Sequence, residues 1–98
     1  MEAGRSYPFV ARIFVDAAKA DDDRVRELLA GFDLLDFQAT HEPTIVMYSI
    51  WMQLADRAEV FRLYEAVMAV PGIRRCIPPL NRRSVEYIAN EIFRKPLG

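Results

Sequence analysis

Several features that mark large classes of proteins are scarce in this chain of 98 residues. Its single cysteine, Cys76, excludes an internal disulfide and a cysteine-based metal site, and it suits a reducing compartment. Lys and Arg number 13 and Asp and Glu 14, and the net charge of -1 argues against binding of polyanions through bulk charge. No apolar run approaches the roughly 20 residues that a membrane span needs, and the N-terminus lacks the basic-then-apolar order of a secretion signal. We therefore expect a cytoplasmic protein that does not insert into membranes.

Apolar sequence is plentiful, since hydrophobic residues make up 52% of the chain, which is enough for one core. The most apolar stretch, Thr44 to Leu54, is rich in β-branched and aromatic residues, which favours a strand over a helix. Alternate side chains of a strand point to opposite faces. One face of this strand is apolar throughout, and the other, with Met47, Ser49 and Trp51, is mixed. The pattern predicts a central strand with the core on one side.

Three further strands follow from alternating apolar and polar residues. Residues 9–16 predict a second central strand, and residues 34–41 an edge strand that forms an antiparallel hairpin with the central one. Residues 73–77 predict a short last strand, which Pro78-Pro79 ends as an edge strand would. The face of the 34–41 strand that should turn toward the core carries Leu35, Phe37, Ala39 and His41.

Three helices are predicted from apolar stripes at helical spacing, each preceded by residues that can cap a helix N-terminus. The capping residues are Asp21–Asp23, Asp56 with Glu59, and Ser84. The first stripe comprises Val25, Leu28, Leu29 and Phe32, with Gly31 suited to the helix end. The second comprises Val60, Phe61, Tyr64, Val67 and Met68, and the third Val85, Ile88, Ala89 and Ile92.

The order strand, helix, strand, strand, helix, strand and a final helix predicts an α+β fold. With right-handed crossovers it gives a ferredoxin-like βαββαβ sandwich with an antiparallel four-stranded sheet in the order 4-1-3-2, plus an additional C-terminal helix. The chain divides into a lead-in (residues 1–7), the ferredoxin-like domain (8–79), and a linker with the C-terminal helix (80–98). Both helices of the sandwich should cover one side of the sheet and leave the other bare.

The bare side, termed the open face, is the main candidate site. Its central residues are Arg12, Phe14, Met47, Ser49 and Trp51. An exposed apolar patch of this kind usually binds something. Three interpretations compete: self-association, base stacking on the aromatics, and a small apolar ligand. Because no Lys or Arg lies in residues 48–53, nucleic-acid binding is not favoured, and self-association is preferred.

Secondary candidates lie outside the open face. The C-terminal helix presents Tyr87, Ile88, Ile92 and Phe93, which could pack on the same chain or bind a partner. Carboxylates and His41 near the predicted hairpin could bind a divalent metal, but helix capping and turn formation account for them, so neither a metal nor a cofactor is predicted. No nucleophile is evident beside His41, so no catalytic residue is assigned. The arginine group Arg74, Arg75, Arg82 and Arg83 could bind phosphates, but a solvated edge that blocks strand pairing is favoured.

The segment from residue 67 to residue 77 reads Val-Met-Ala-Val-Pro-Gly-Ile-Arg-Arg-Cys-Ile. It resembles a segment of small regulatory domains: ACT domains, the ligand-sensing half of Lrp/AsnC-type regulators, and the soluble C-terminal domain of MgtC-type membrane proteins. In order of elements the resemblance spans residues 8–79. It implies dimerisation and, for the first two families, amino-acid sensing. The ACT loop that holds the amino acid carries glycine, whereas residues 16–23 here have none, so the resemblance assigns no binding residue.

These observations together predict a non-catalytic regulatory or adaptor module. It should form a homodimer that buries Phe14, Met47 and Trp51, and it should bind a partner protein or a small ligand. The alternative is a small dimeric α/β-barrel enzyme that acts on an apolar small molecule in a cavity beside the sheet.

Overall fold

A computed structural model describes residues 6–93 of the chain. Its elements are β1 (Tyr7–Asp16), α1 (Asp22–Leu28), β2 (Asp33–His41), β3 (Ile45–Leu54), α2 (Arg57–Met68), β4 (Ile73–Ile77) and α3 (Val85–Ile92). This α+β order matches the predicted ferredoxin-like fold with an additional C-terminal helix. Residues 1–5 of the predicted lead-in and residues 94–98 of the C-terminal segment lie outside the described residues.

The four strands form one antiparallel sheet in the order β2-β3-β1-β4. The two central strands, β1 and β3, pair along their whole length, from Tyr7 opposite Leu54 to Asp16 opposite Ile45. This is the predicted order, and it follows from composition, because the two most apolar strands take the two places that have neighbours on both sides. The alternation of these strands then decides which side chains face the helices.

The hydrophobic core lies between one side of the sheet and the helices. The inner faces of β1 and β3 are buried almost completely, as their alternation predicts. The core consists of Phe9, Ala11, Ile13, Val15, Val25, Leu29, Val46, Tyr48, Ile50, Met52, Leu54, Val60, Leu63, Val67, Val70, Cys76, Leu80, Val85 and Ala89. Since Leu80, Val85 and Ala89 belong to it, α3 packs on its own chain, where the Arg57 guanidinium of α2 also donates to the Asn90 side chain at 2.7 and 2.9 Å.

The inner face of β2 differs from the prediction at its first position. The register with β3 shifts between Leu34 and Asp36, so Leu34 pairs with Met52 and Asp36 with Trp51. Leu35 is the extra residue of a β-bulge, which leaves it unpaired and 55% exposed. Leu34 therefore packs against the core in its place. The assignment of Leu35 to the core face was wrong, because a bulge inverts the alternation on one side of it.

The end of α1 and the buried stripe of α2 also differ from the prediction. Helix α1 ends at Leu28, where the Leu29 N–H donates to the carbonyls of the last turn, and Phe32 lies beyond it. Gly31 does not have a positive φ, so it is not a left-handed helix cap. In α2 the buried residues are Val60, Leu63 and Val67, whereas Met68 is 51% exposed.

Helix caps follow the predicted residues in two helices of three. The Asp21 side chain accepts from the Arg24 N–H at 3.1 Å, and the Asp56 side chain accepts from the Glu59 N–H at 3.0 Å. Ser84 occupies the N-cap position of α3, but its hydroxyl donates to the carbonyl of Pro79 instead of capping the helix. These bonds satisfy backbone groups that helix ends otherwise leave free.

Candidate functional site: the open face of the sheet

Strand register arranges the open face as rows that run across the sheet. Row one is Asp33, Gln53 and Pro8; row two is Asp36, Trp51 and Val10; row three is Gln38, Ser49, Arg12 and Ile77; row four is Thr40, Met47, Phe14 and Arg75; row five is Ile45 and Asp16. Residues paired across antiparallel strands point to the same side of the sheet, so each row is a line of neighbouring side chains. All five residues predicted at the centre of the open face lie in rows two to four.

Rows two and four carry most of the apolar surface of the open face. Trp51, Met47 and Phe14 are half-buried, and Val10 at the end of row two is 44% exposed. Ile77, at the β4 end of row three, is 46% exposed. In the part of the chain that the structure describes, the helices pack on the opposite side of the sheet. The open face therefore presents two rows of partly exposed apolar side chains, and exposed apolar surface of this size is a common feature of binding sites.

Row three is a polar line between the two apolar rows. Ser49, on β3, is only 6% exposed, although it lies on the open side of the sheet. Its cross-strand neighbours are Arg12 on β1 and Gln38 on β2, whose longer side chains flank it. The row thus places a buried hydroxyl between a guanidinium and an amide, and the exposed Arg12 and Gln38 side chains supply the hydrogen-bonding groups of this row at the surface.

Arginines line the β4 side of the open face. The Arg75 guanidinium lies 5.1 Å from the centre of the Phe14 ring, within the range of a cation–π contact. Arg74 lies 3.5 Å from the Asp16 carboxylate. The Ala18 N–H donates to that carboxylate at 3.0 Å and holds the pKa of Asp16 below its usual value, and the charge of Arg74 lowers the pKa further. The predicted solvated arginine edge is thus tied in part to the open face.

A shallow concavity of about 110 Å³ opens between rows four and five. Its lining consists of Phe14, Thr40, Glu42, Ile45 and Met47. Cavities that bury drug-sized ligands measure about 300–1,000 Å³, so this one holds only a side chain or a few atoms. Glu42 supplies a carboxylate at its rim, on the β2–β3 turn.

A larger concavity of about 300 Å³ lies outside the open face, between α2, β4 and the connection to α3. Val67, Ile73 and Leu80 form part of its wall, together with Cys76. Burial raises the pKa of the Cys76 thiol to about 11, against a smaller opposing effect of a hydrogen bond with the Leu80 backbone. The thiol is therefore protonated at neutral pH, and it lacks the thiolate that nucleophilic chemistry requires.

A hydrogen-bond cluster of three residues lies on the helix side of the sheet. From the sequence, two of them, Asp22 and His41, were predicted only as a capping residue and a turn residue. The Tyr48 hydroxyl donates to one carboxylate oxygen of Asp22 at 2.5 Å, and His41 Nε2 lies 2.9 Å from the other. Burial, the hydrogen bond to Asp22 and its charge all raise the pKa of Tyr48 well above its usual value. The signal that could have predicted this contact is a tyrosine on a core face, because its hydroxyl needs a partner.

Other features considered from the sequence were a metal site, a membrane span and the apolar side chains of the C-terminal helix. Across residues 6–93, no three His, Cys, Asp or Glu side chains are grouped as a metal site requires. Among the helices of the same residues, none has the length and apolar character needed to cross a bilayer. On α3, Tyr87 is 66% exposed, whereas Ile88 and Ile92 are half-buried against the core, as is Phe93 directly after the helix. The Phe93 ring also packs edge-on against Tyr7, with ring centres 6.4 Å apart.

Comparison of the chain with protein-family models, with curated proteins and with solved structures finds no match in any of the three.

Proposed function

We propose that the protein is a non-catalytic regulatory or adaptor module that works as a homodimer joined through the open face. The observation that carries the proposal is the pair of apolar rows, which expose part of Trp51, Met47 and Phe14 on the two central strands. Covering these rows removes apolar surface from water, which stabilises association by about 25 cal/mol per Å² before the costs of binding are subtracted. The dimer would then offer its remaining surfaces to a partner protein or a small ligand.

The resemblance of residues 67–77 to ACT, Lrp/AsnC-type and MgtC-type domains supports the same proposal. This segment joins α2 to β4, and Gly72 within it has a φ of 73°. A Cβ at this position would lie 2.8 Å from the Lys19 Cβ, so the turn requires glycine both for its backbone angle and for space. The similar segment thus includes Gly72, a position where the backbone requires glycine. The domains that this segment resembles form dimers.

The alternative, a small dimeric α/β-barrel enzyme, is favoured by one observation. The concavity between rows four and five places the Glu42 carboxylate beside Phe14, Ile45 and Met47, which is a polar group at an apolar cavity. A second copy could close this cavity. Its volume of about 110 Å³ is nevertheless below the range for small-molecule sites. The binding module is therefore preferred.

The test is the solution mass of the wild type and of Trp51→Glu, measured by light scattering behind a sizing column. The wild type is expected to have twice the mass of one chain, and Trp51→Glu is expected to be a folded monomer, because a buried carboxylate without a partner opposes association. The matched control is Met68→Glu, which places the same charge at a 51% exposed apolar residue of α2 and should remain a dimer. A monomeric wild type would contradict the proposal.

A further inference from the structure

We infer that the larger concavity, between α2, β4 and the connection to α3, binds a small carboxylate that has an apolar tail. This site is termed the α2–β4 pocket. The inference deepens the proposed function and rests on its small-ligand role, since it gives that role a site and a chemical class. It does not depend on the open face, which lies on the side of the sheet opposite α2.

Most of the wall of the α2–β4 pocket is apolar, and it comes from three parts of the chain. The end of α2, the strand β4 and the connection to α3 contribute Val67, Met68, Ile73, Cys76, Pro79 and Leu80. The volume of about 300 Å³ is at the lower end of the range for small-molecule sites. The pocket therefore suits a short alkyl chain or a single ring.

The polar part of the same wall is cationic. It consists of Arg74, Arg75 and Asn81, and none of the described residues that line the pocket is Asp or Glu. Arg82 and Arg83 follow directly in the chain and add positive charge beside it. This charge favours an anion, and the apolar wall beside it favours an anion that carries an apolar tail.

Arg74 supplies the charge that can reach a ligand in the pocket. Its side chain is 59% exposed, and its guanidinium lies 3.5 Å from the Asp16 carboxylate, which is too long for a good hydrogen bond. Its N–H donors therefore remain for a ligand. The Arg75 guanidinium is instead held on the open side of the sheet, 5.1 Å from the centre of the Phe14 ring.

Asn81 is oriented so that it can donate to the same anion. Its side-chain oxygen accepts from the N–H groups of Arg83 and Ser84, at 2.9 and 3.0 Å. Because the oxygen is engaged there, the NH₂ group is the part of this side chain that can bind a ligand. One guanidinium and one amide match the two oxygens of a carboxylate, whereas a phosphate has more oxygens to satisfy than this wall has donors.

Cys76 is compatible with an anion in the pocket and can report its presence. Burial keeps its thiol protonated at neutral pH, so it carries no charge that would repel a carboxylate. It lies in the wall beside Leu80, whose backbone contacts the sulfur. Because the chain has one cysteine, the rate at which the protein is alkylated measures access to this wall.

The test is a titration of the isotope-labelled full-length protein with octanoate, followed by amide NMR. Octanoate is expected to bind saturably at one site per chain, with the largest shifts in residues 73–81 and at the end of α2. Octanol lacks the carboxylate and acetate lacks the tail, so each should bind at least about tenfold more weakly. Octanoate should also slow the alkylation of Cys76.

Three variants assign the binding to Arg74. Arg74→Gln is expected to lower the affinity for octanoate about tenfold, because it removes a hydrogen bond to a charged group. Asp16→Asn removes the carboxylate that competes for Arg74, so it should raise the affinity about twofold. Arg12→Gln is the matched control, because it removes an exposed arginine of the open face and should leave the affinity unchanged. The NMR spectrum of each variant verifies that it is folded.

The outcomes separate this inference from the proposed homodimer. Binding that does not saturate, equal affinity for octanoate and octanol, or a loss of affinity in Arg12→Gln instead of Arg74→Gln would overturn the pocket. A chain that is monomeric by light scattering but binds octanoate through Arg74 contradicts the homodimer and leaves the pocket standing. A dimer that does not bind octanoate leaves the homodimer standing and overturns the pocket.

Discussion

At the scale of single residues, Tyr48 links the core to the only histidine of the chain. Its ring is fully buried and packs against Phe37, with ring centres 5.6 Å apart, and the Arg26 guanidinium covers the outer side of Phe37 at 4.3 Å. Its hydroxyl reaches Asp22 in the first turn of α1, and Asp22 in turn holds His41. The Asp22 carboxylate therefore joins the first turn of α1 to both strands of the β2–β3 hairpin.

Replacement of this hydroxyl should change both stability and its dependence on pH. Tyr48→Phe is expected to lower the free energy of unfolding by about 1 kcal/mol at neutral pH, because it removes a hydrogen bond to a half-exposed carboxylate. Since the folded state raises the pKa of Tyr48 above the 10.0 of an unperturbed tyrosine, the stabilisation is complete below pH 10 and is lost as the pH rises beyond it. The wild type should lose about 1.4 kcal/mol per pH unit there, and the variant should lack this contribution.

Denaturant unfolding at a fixed protein concentration, from neutral pH to above pH 10, measures both effects. Tyr87→Phe is the matched control, because the Tyr87 side chain is 66% exposed and its loss of a hydroxyl should leave the unfolding curve unchanged. If the free energy of unfolding falls in parallel for wild type and Tyr48→Phe above pH 10, ionisation of the Tyr48 hydroxyl is not the cause of the pH dependence.

The sequence could place Tyr48 on the core face but could not predict its partner. Alternation along β3 depends only on neighbouring residues, so the inner face from Val46 to Leu54 follows from the printed sequence. The contact with Asp22 joins residues 26 positions apart, and it exists because the first turn of α1 lies over this end of the sheet. Asp21–Asp23 were predicted only as residues of the helix start; the structure gives the cap to Asp21 and places Asp22 and Asp23 in the first turn of α1.

At the scale of elements, the connection from α2 to β4 depends on Gly72. The Gly72 carbonyl accepts from the Asp16 N–H at 2.9 Å, which ties this turn to the end of β1. Gly72→Ala should lower the free energy of unfolding by about 2 kcal/mol, since an L-residue is strained at this φ and its Cβ would meet Lys19. Gly31→Ala should have no cost or raise stability by about 0.5 kcal/mol, because it meets no atom within 4 Å.

Chemical denaturation of the two glycine variants provides the measurement, and each is the control of the other. Equal effects at the two positions would contradict the assignment of Gly72 as the constrained glycine. The comparison also isolates backbone conformation from the general effect of an added methyl group, since both variants carry the same substitution.

The order of elements was predictable, whereas the irregularities inside them were not. Residues 33–41 alternate well enough to identify β2, but the bulge at Leu35 depends on how the start of β2 pairs with β3. In α2, the spacing of the apolar residues is compatible with two different buried stripes. In the structure the stripe that contains Leu63 is buried. Local sequence therefore fixes the type of each element better than it fixes which side chains are buried.

At the scale of the whole molecule, a two-layer fold with one bare side should gain stability from association. If the open face joins two copies, only the folded chains associate, so the apparent stability should rise with protein concentration. Each tenfold increase should add about 1.4 kcal/mol to the apparent free energy of unfolding per dimer. Thermal melts over a hundredfold range of concentration measure this.

The charge variants supply the controls for those melts. Met68→Glu should keep the dependence on concentration, because α2 lies on the side of the sheet opposite the open face. Trp51→Glu should lose it and melt at one temperature throughout. A wild-type melting temperature that does not move with concentration would contradict association at the concentrations tested.

The bulge at Leu35 bears on how far such association can proceed. A further strand added beside β2 would find the hydrogen-bonding ladder interrupted there, and one added beside β4 would find five residues followed by Pro78-Pro79. Growth by strand addition into a filament is therefore obstructed at both margins of the sheet. In the proposed dimer, face-to-face contact around a two-fold axis would cover the apolar rows of both copies at once, so we expect the assembly to end at a pair and not to polymerise as the concentration rises.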